Sequence, residues 1–274
     1  DVPIHDTRDD EHVDDVADFI VDAHTGEIVS ELPRVHDALE QAHDGLGALR
    51  TVRVIPAETP GRRRLVNELD NVHTYDFGFR SYIDDFATLP GDYVETDGAT
   101  WLPAAISAHY NASAVAGLIR RTLKRNGVDG LGAPYRSSIN CVKFGPGQEW
   151  RNAAWLPGRR QMIYGQRDNG GSLRSYALAL DIVAHEIFHG ITDSQARLEY
   201  SGESGALNES LSDIFGVIVS NTRGNRRRRP DLWNWEMGED LIQTGGTALR
   251  DISQPSRFGQ PEHMDDYRDL PLDQ

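Results

Sequence analysis

His185-Glu186-Ile187-Phe188-His189 lies inside the apolar-rich run 175–192. Residues four apart on a helix share a face, with Cβ atoms about 5–6 Å apart. Two imidazoles so placed can converge on one Zn²⁺, and the intervening Glu186 can reach a water on that ion. A catalytic zinc site needs three protein ligands and one open position. Glu209, in Asn208-Glu209-Ser210-Leu211-Ser212-Asp213, offers the third. It follows His189 by twenty positions, enough for one helix to end, the chain to turn and a second helix to pack back. Asp213 stands one turn beyond Glu209, where it can accept the other N–H of a ligand imidazole and fix its tautomer. Ile214, Phe215, Val217, Ile218 and Val219 imply a helix with little surface facing solvent. That argues against Glu209 and Asp213 being ordinary surface carboxylates.

Such ligands require two helices, expected over 175–192 and 204–221. Upstream, 103–125 has helical periodicity and should stop at Asn126-Gly127. Segments 136–144 and 161–164 alternate like strands, and short β-like stretches broken by Pro, Gly and Asp fill 49–97. Asp18–Asp22, the turn formers Ala23-His24-Thr25-Gly26 and Glu27–Leu32 read as a hairpin. Residues 1–15 are acid-rich and expected to be poorly ordered. The pattern is α+β: a β-rich N-terminal lobe, then helices. His109 is expected to be a satisfied structural histidine, and His24 and His43 to face solvent.

Composition excludes several classes. Of the 274 residues 38% are hydrophobic and 26% charged, as in a globular protein. The net charge of −15 argues against a nucleic-acid partner, because phosphate contacts need clustered Lys and Arg. The basic runs Arg62–Arg64 and Arg226–Arg229 are expected to be solvated loops. No apolar run is long enough for a membrane span, and no basic-then-apolar signal segment opens the chain. The single Cys141, in a strand-like stretch, reads as a buried structural thiol.

His185-Glu-Ile-Phe-His-Gly-Ile-Thr-Asp193, followed by Tyr200-Ser-Gly-Glu-Ser-Gly-Ala-Leu-Asn-Glu-Ser-Leu-Ser-Asp-Ile-Phe-Gly216, resembles the active-site region of thermolysin-like neutral zinc metalloendopeptidases. The metzincin pattern does not fit, since Thr192 and Gln195 stand where it needs Gly and His. Zinc aminopeptidases share the ligand plan, but the flanking residues match the endopeptidases better. Asn152-Ala-Ala-Trp155 is similar to the family's substrate-pairing edge segment, and Met162-Ile-Tyr-Gly165 to the strand after it. Trp235–Asp240 and Leu249-Arg250 resemble the stretch with calcium ligands and a substrate-carbonyl Arg. The hairpin Phe19–Ile28 is similar to the end of the family's propeptide. The implied organisation is a propeptide-like tail and hairpin (1–44), a β-rich lobe with one helix (45–180) and the zinc-binding helices with a following loop region (181–274).

The resemblance implies zinc held by His185, His189 and Glu209, with Asp213 behind them. Glu186 would be the general base toward a zinc-activated water, and Tyr200 an oxyanion donor. Asn152, Ala153 and Arg250 would bind the main chain of a protein or peptide substrate. Leu173, Tyr176, Ile182, Met237 and Leu249 imply cleavage on the amino side of bulky hydrophobic residues. A secreted zymogen is implied as well. Asp181, Glu236 and Glu239 match calcium ligands, but Ser220 and Asn234 replace carboxylates and the loop 241–247 lacks an Asp, so at most one weaker Ca²⁺ is expected. The segment Pro261–Tyr267 precedes, in the family, a further His and a helical lobe; both are expected to be absent here, leaving an apolar flank of the second zinc helix for a partner segment. The alternative reading is an incomplete, catalytically weak relative acting as a zinc-containing binding protein.

Overall fold

The computed structural model describes residues 17–33, 37–98, 100–145, 147–222, 229–242 and 248–266. The acid-rich 1–15, most of the run 226–229 and the 243–247 part of the expected calcium loop lie outside the described residues.

The chain enters through an antiparallel hairpin, β1 (Ala17–Val21) and β2 (Ile28–Pro33). Its turn is held by Asp22 Oδ1, which accepts the N–H groups of His24 and Thr25. A second hairpin pairs β3 (Ala38–His43) with β4 (Leu49–Pro56), in register from Ala38↔Val54 to His43↔Leu49. A strand from the 1–44 segment is therefore bonded along its length to the segment that follows.

Short strands come next: β5 (Arg63–Arg64), β6 (Val66–Asn67), β7 (Val72–Asp76), β8 (Asp92–Tyr93) and β9 (Glu95–Thr96). Then follow β10 (Tyr135–Ile139), β11 (Trp150–Leu156), β12 (Gln161–Asp168) and β13 (Leu173–Ser175). One sheet runs β3-β4-β5-β9. The other runs β11-β12-β10-β7-β6, with β13 on β12 and β8 on β7. Within it β10 is parallel to both β7 and β12, and the remaining pairs are antiparallel. A last pair, β14 (Glu236–Met237) and β15 (Arg250–Asp251), follows the helices.

Of the run Arg62–Arg64, expected to be a solvated loop, Arg63 and Arg64 form β5, while Arg62 stays exposed outside the strand. Arg64 donates to Glu95 Oε1 at 2.7 and 2.9 Å, Arg62 lies 3.4 Å from Glu95, and Arg63 pairs with Glu40. Carboxylates on neighbouring strands draw Arg63 and Arg64 into the sheet.

Three helices pack on this frame: α1 (Pro103–Leu123), α2 (Leu180–Gln195) and α3 (Gly202–Asn221). Pro103 suits the first turn of α1, where an N–H would have no partner anyway. The helix stops at Lys124, whose left-handed φ of 53° breaks the pattern before Asn126-Gly127 is reached. Ala105, Ile106, Ala112, Val115 and Ile119 form its buried face, which meets β4, β7, β10 and α2. His109 is fully buried in that layer, contacting Thr74 Oγ1 at 2.9 Å and the Arg53 carbonyl at 3.0 Å. Cys141 is free and buried, just beyond the end of β10. Burial pushes its thiol well up, which keeps it unreactive.

The helix expected from 175 begins only at Leu180. Tyr176–Leu178 is a 3₁₀ turn, with Ser175 Oγ accepting the Ala177 N–H. α2 and α3 lie antiparallel and touch closely. A Cβ on Gly216 would fall 2.7 Å from the Asp181 carbonyl oxygen. The outer face of α3 carries an exposed apolar flank. Leu207, Leu211, Ile214 and Ile218, at helical spacing, are 37–50% exposed, while Val217 and Val219 turn inward. Among the described residues, no helix is long and apolar enough to cross a membrane.

Candidate metal centre and cleft

α2 places His185 and His189 on its buried face, with the two Nε2 atoms 2.9 Å apart and the rings edge to face. α3 brings Glu209 against both. Its Oε2 is 3.3 Å from His185 Nε2 and its Oε1 is 3.4 Å from His189 Nε2. Among the described residues this is the one group of three His, Cys, Asp or Glu whose ligand atoms lie within 4.8 Å of each other. Asp181, Glu236 and Glu239 do not gather in that way. Asp181 accepts the Gly238 N–H at 2.8 Å, Glu236 pairs with Arg257 at 3.2 Å, and Glu239 accepts from the Asn234 amide.

The outer nitrogens decide what the inner ones can do. His189 Nδ1 faces Asn208 Oδ1 at 3.0 Å and Ser212 Oγ at 3.2 Å. Ser212 already spends its hydroxyl hydrogen on the Asn208 carbonyl, at 2.9 Å, so it can only accept from the imidazole. His189 Nδ1 therefore carries the hydrogen, and its Nε2 presents a lone pair. His185 Nδ1 lies 2.8 Å from Asp213 Oδ1, a close but poorly aligned contact that also favours hydrogen on Nδ1. Two imidazole nitrogens and a carboxylate thus converge on one point, an arrangement suited to a cation. Ligand atoms about 2.1 Å from a tetrahedral Zn²⁺ stand about 3.4 Å from one another. The separations of 2.9, 3.3 and 3.4 Å match that spacing, and an N₂O donor set suits zinc. In the metal-free protein burial opposes charge on His185, but contacts with Asp213 and Glu209 outweigh it and raise its pKa to about 9.

Asn208 and Ser212 were not singled out from the sequence. Their signal was the position of Asn208 directly before Glu209, on a helix face already assigned to the site.

The remaining candidates surround this centre. Glu186 is buried beside the imidazoles, and burial raises its carboxyl above the ordinary range despite their opposing pull. Tyr200, on the exposed turn before α3, donates its hydroxyl to Glu209 Oε1. Arg250 donates to Asp213 Oδ1 at 2.7 Å, while its Nε has no partner among the described residues. β11 is an edge strand with a register irregularity between Trp150 and Ala153, and it brings Asn152 and Ala153 to the same cleft. That cleft encloses about 460 Å³. Tyr176, Ile182 and Leu249 line it; Leu173 and Met237, also expected there, do not.

Compared with known proteins, residues 51–193 match the family described as thermolysin metallopeptidase, catalytic domain. The chain belongs to the thermolysin metallopeptidase family. Residues 196–274 match that family's alpha-helical domain. This corrects the expectation that the C-terminal helical lobe is absent: α3 and the residues after it fall within that domain. Among the described residues no further long helix follows α3.

The chain is 33% identical over 256 residues to neutral protease B of Bacillus subtilis (strain 168), covering 89% of this chain and 44% of that protein. It is 37% identical over 194 residues to bacillolysin of Bacillus cereus, covering 70% and 31%. The chain thus spans less than half the length of these thermolysin-family relatives. Its fold is similar to the precursor of protealysin, a metalloproteinase from Serratia proteamaculans, with a TM-score of 0.58 and 30% identity. That likeness covers 74% of this chain and 62% of the other.

Proposed function

We propose that this chain is a zinc-dependent endopeptidase that cleaves proteins or peptides on the amino side of bulky hydrophobic residues. The observation that carries it is the convergence of two imidazole lone pairs and the Glu209 carboxylate beside a buried, base-like Glu186. His185, His189 and Glu209 would hold the ion. When bound, Zn²⁺ makes water nucleophilic near neutral pH and polarises a carbonyl. Glu186, with its raised proton affinity, takes the proton of the attacking water and passes it to the leaving amine.

The free edge of β11 at Asn152 and Ala153 offers main-chain groups to an extended peptide. Arg250 and the Tyr200 hydroxyl supply donors for a substrate carbonyl and the developing oxyanion. Tyr176, Ile182 and Leu249 form the apolar wall that favours a bulky side chain after the scissile bond. Family resemblance further supports a secreted protein made as a zymogen, with 1–44 as a propeptide-like segment. A Ca²⁺ at Asp181, Glu236 and Glu239 rests on family resemblance alone.

The test is casein hydrolysis by the full chain, with and without a chelator, beside Glu186→Gln. Activity should vanish on chelation and return with Zn²⁺. The variant should keep its zinc and lose about 10²- to 10⁴-fold in kcat. Hydrolysis that survives both treatments, or wild-type protein that binds zinc without hydrolysing, would overturn the assignment.

A further inference from the structure

The cleft continues along α2 past the metal centre, away from its apolar wall. Ile182 lies one turn before Glu186, and Asp193 lies two turns after it on the same face. At 1.5 Å per residue these two positions stand about 16 Å apart along the helix, with the imidazoles between them. Both line the cleft. Trp155 builds the Asp193 end. Its main-chain N–H is directed at the Glu186 carboxyl, and its indole Nε1 lies 3.4 Å from Asp193 Oδ2. The ring passes over Gly190, where a Cβ would fall 2.9 Å from it. Trp155 and Asp193 are each partly exposed, and Trp155 lines the cleft as well.

Asp193 is a carboxylate short of partners. It stands in the last turn of α2, where the helix dipole opposes a negative charge. Among the described residues the long indole contact is the one hydrogen bond of its side chain, and it makes no ion pair. Arg125 reaches the adjacent Ser194 but donates there and to the Val128 carbonyl. The other charges at the cleft are matched. Arg250 pairs with Asp213, and a divalent ion would offset Glu209 and Glu186. A cation brought by the substrate would answer the charge that remains.

We infer, resting on the endopeptidase reading above, that Asp193 selects a lysine or arginine side chain on the amino-terminal side of the scissile bond. The apolar wall takes the residue after that bond, so the opposite end of the cleft takes those before it. Asp193 lies about 9 Å along α2 from the midpoint of the two histidines. An extended peptide advances about 3.3 Å per residue, so a long side chain from the first or second residue before the bond reaches it. The indole of Trp155 adds a surface on which a guanidinium or ammonium group can rest.

The test uses the zinc-loaded full chain and acetylated, amidated alanine-based peptides with one leucine, so that no terminal charge stands in for a side chain. The residue before leucine, and in a second set the one before that, is lysine, arginine, norleucine or glutamate. At one of the two positions kcat/KM should be about tenfold higher for lysine and arginine than for norleucine, the effect of one partly desolvated charged contact, and lowest for glutamate. The lysine-to-norleucine ratio should fall to about one in Asp193→Asn and survive in Asp193→Glu. Kd values of the same peptides for Glu186→Gln should follow the same order. A ratio near one at both positions, in kcat/KM or in Kd, would overturn the inference while the peptidase reading stands, as would a ratio that Asp193→Asn retains. Failure to cleave any peptide before leucine would instead sink the peptidase reading, and this inference with it.

Discussion

His185 and His189 are useful to a metal only in one tautomer, and the groups that impose it come from α3. Asp213 answers His185; Asn208 and Ser212 answer His189. Outer partners of this kind typically contribute about 10–100-fold in metal affinity. Asp213→Ala should therefore weaken zinc binding by about that factor, as read by competition with a chromophoric chelator. Because Asp213 also receives Arg250, the same variant should raise KM if Arg250 is a substrate ligand. Unchanged zinc affinity would show that His185 keeps its orientation without the carboxylate.

At the scale of elements, the site depends on how closely α2 and α3 approach. Gly216 permits the contact, since any side chain there meets the main chain of Asp181. Helix propensity alone would make Gly216→Ala stabilising by about 1 kcal/mol. Overpacking costs about 1–3 kcal/mol, and here the obstacle is backbone, which cannot swing away. The second effect wins: Gly216→Ala should lower the unfolding free energy and, by moving Glu209 from the imidazoles, weaken zinc binding as well. Denaturant titration checks the sign; a higher midpoint would show slack at the crossing. The row Leu207, Leu211, Ile214 and Ile218 lies on the opposite side of α3, as an exposed apolar flank.

For the molecule as a whole, α1 is tied to both sheets through the buried His109, whose pKa is depressed to about 4 by burial. An unfolded histidine takes up its proton near 6.5. Above that value neither state is protonated and the stability is intact. As pH falls from 6.5 toward 4 the unfolded chain gains a proton that the fold refuses, and stability is lost. At about 1.4 kcal/mol per pKa unit the loss approaches about 3 kcal/mol. Unfolding curves at pH 7 and 4.5 should show this drop for the wild type and a smaller one for His109→Gln. Equal slopes would mean that His109 is protonated within the fold.

Much of this was legible along the chain because it is local. Helical periodicity places two imidazoles four residues apart on one face whatever surrounds them, and turn-forming residues mark the hairpin at 22–27. The α+β class, the buried Cys141 and the pairing of Glu209 with the histidine helix followed from such patterns together with family resemblance. Other features arise between elements distant in sequence, where packing geometry selects partners that no spacing rule names. Tertiary structure alone drew Arg63 and Arg64 into a sheet, set Asn208 and Ser212 behind His189 and enclosed Tyr135 beside Arg125. A chain encodes its periodicities in neighbours, but a lone pair, a free donor or a backbone contact acquires meaning only from what folding brings against it.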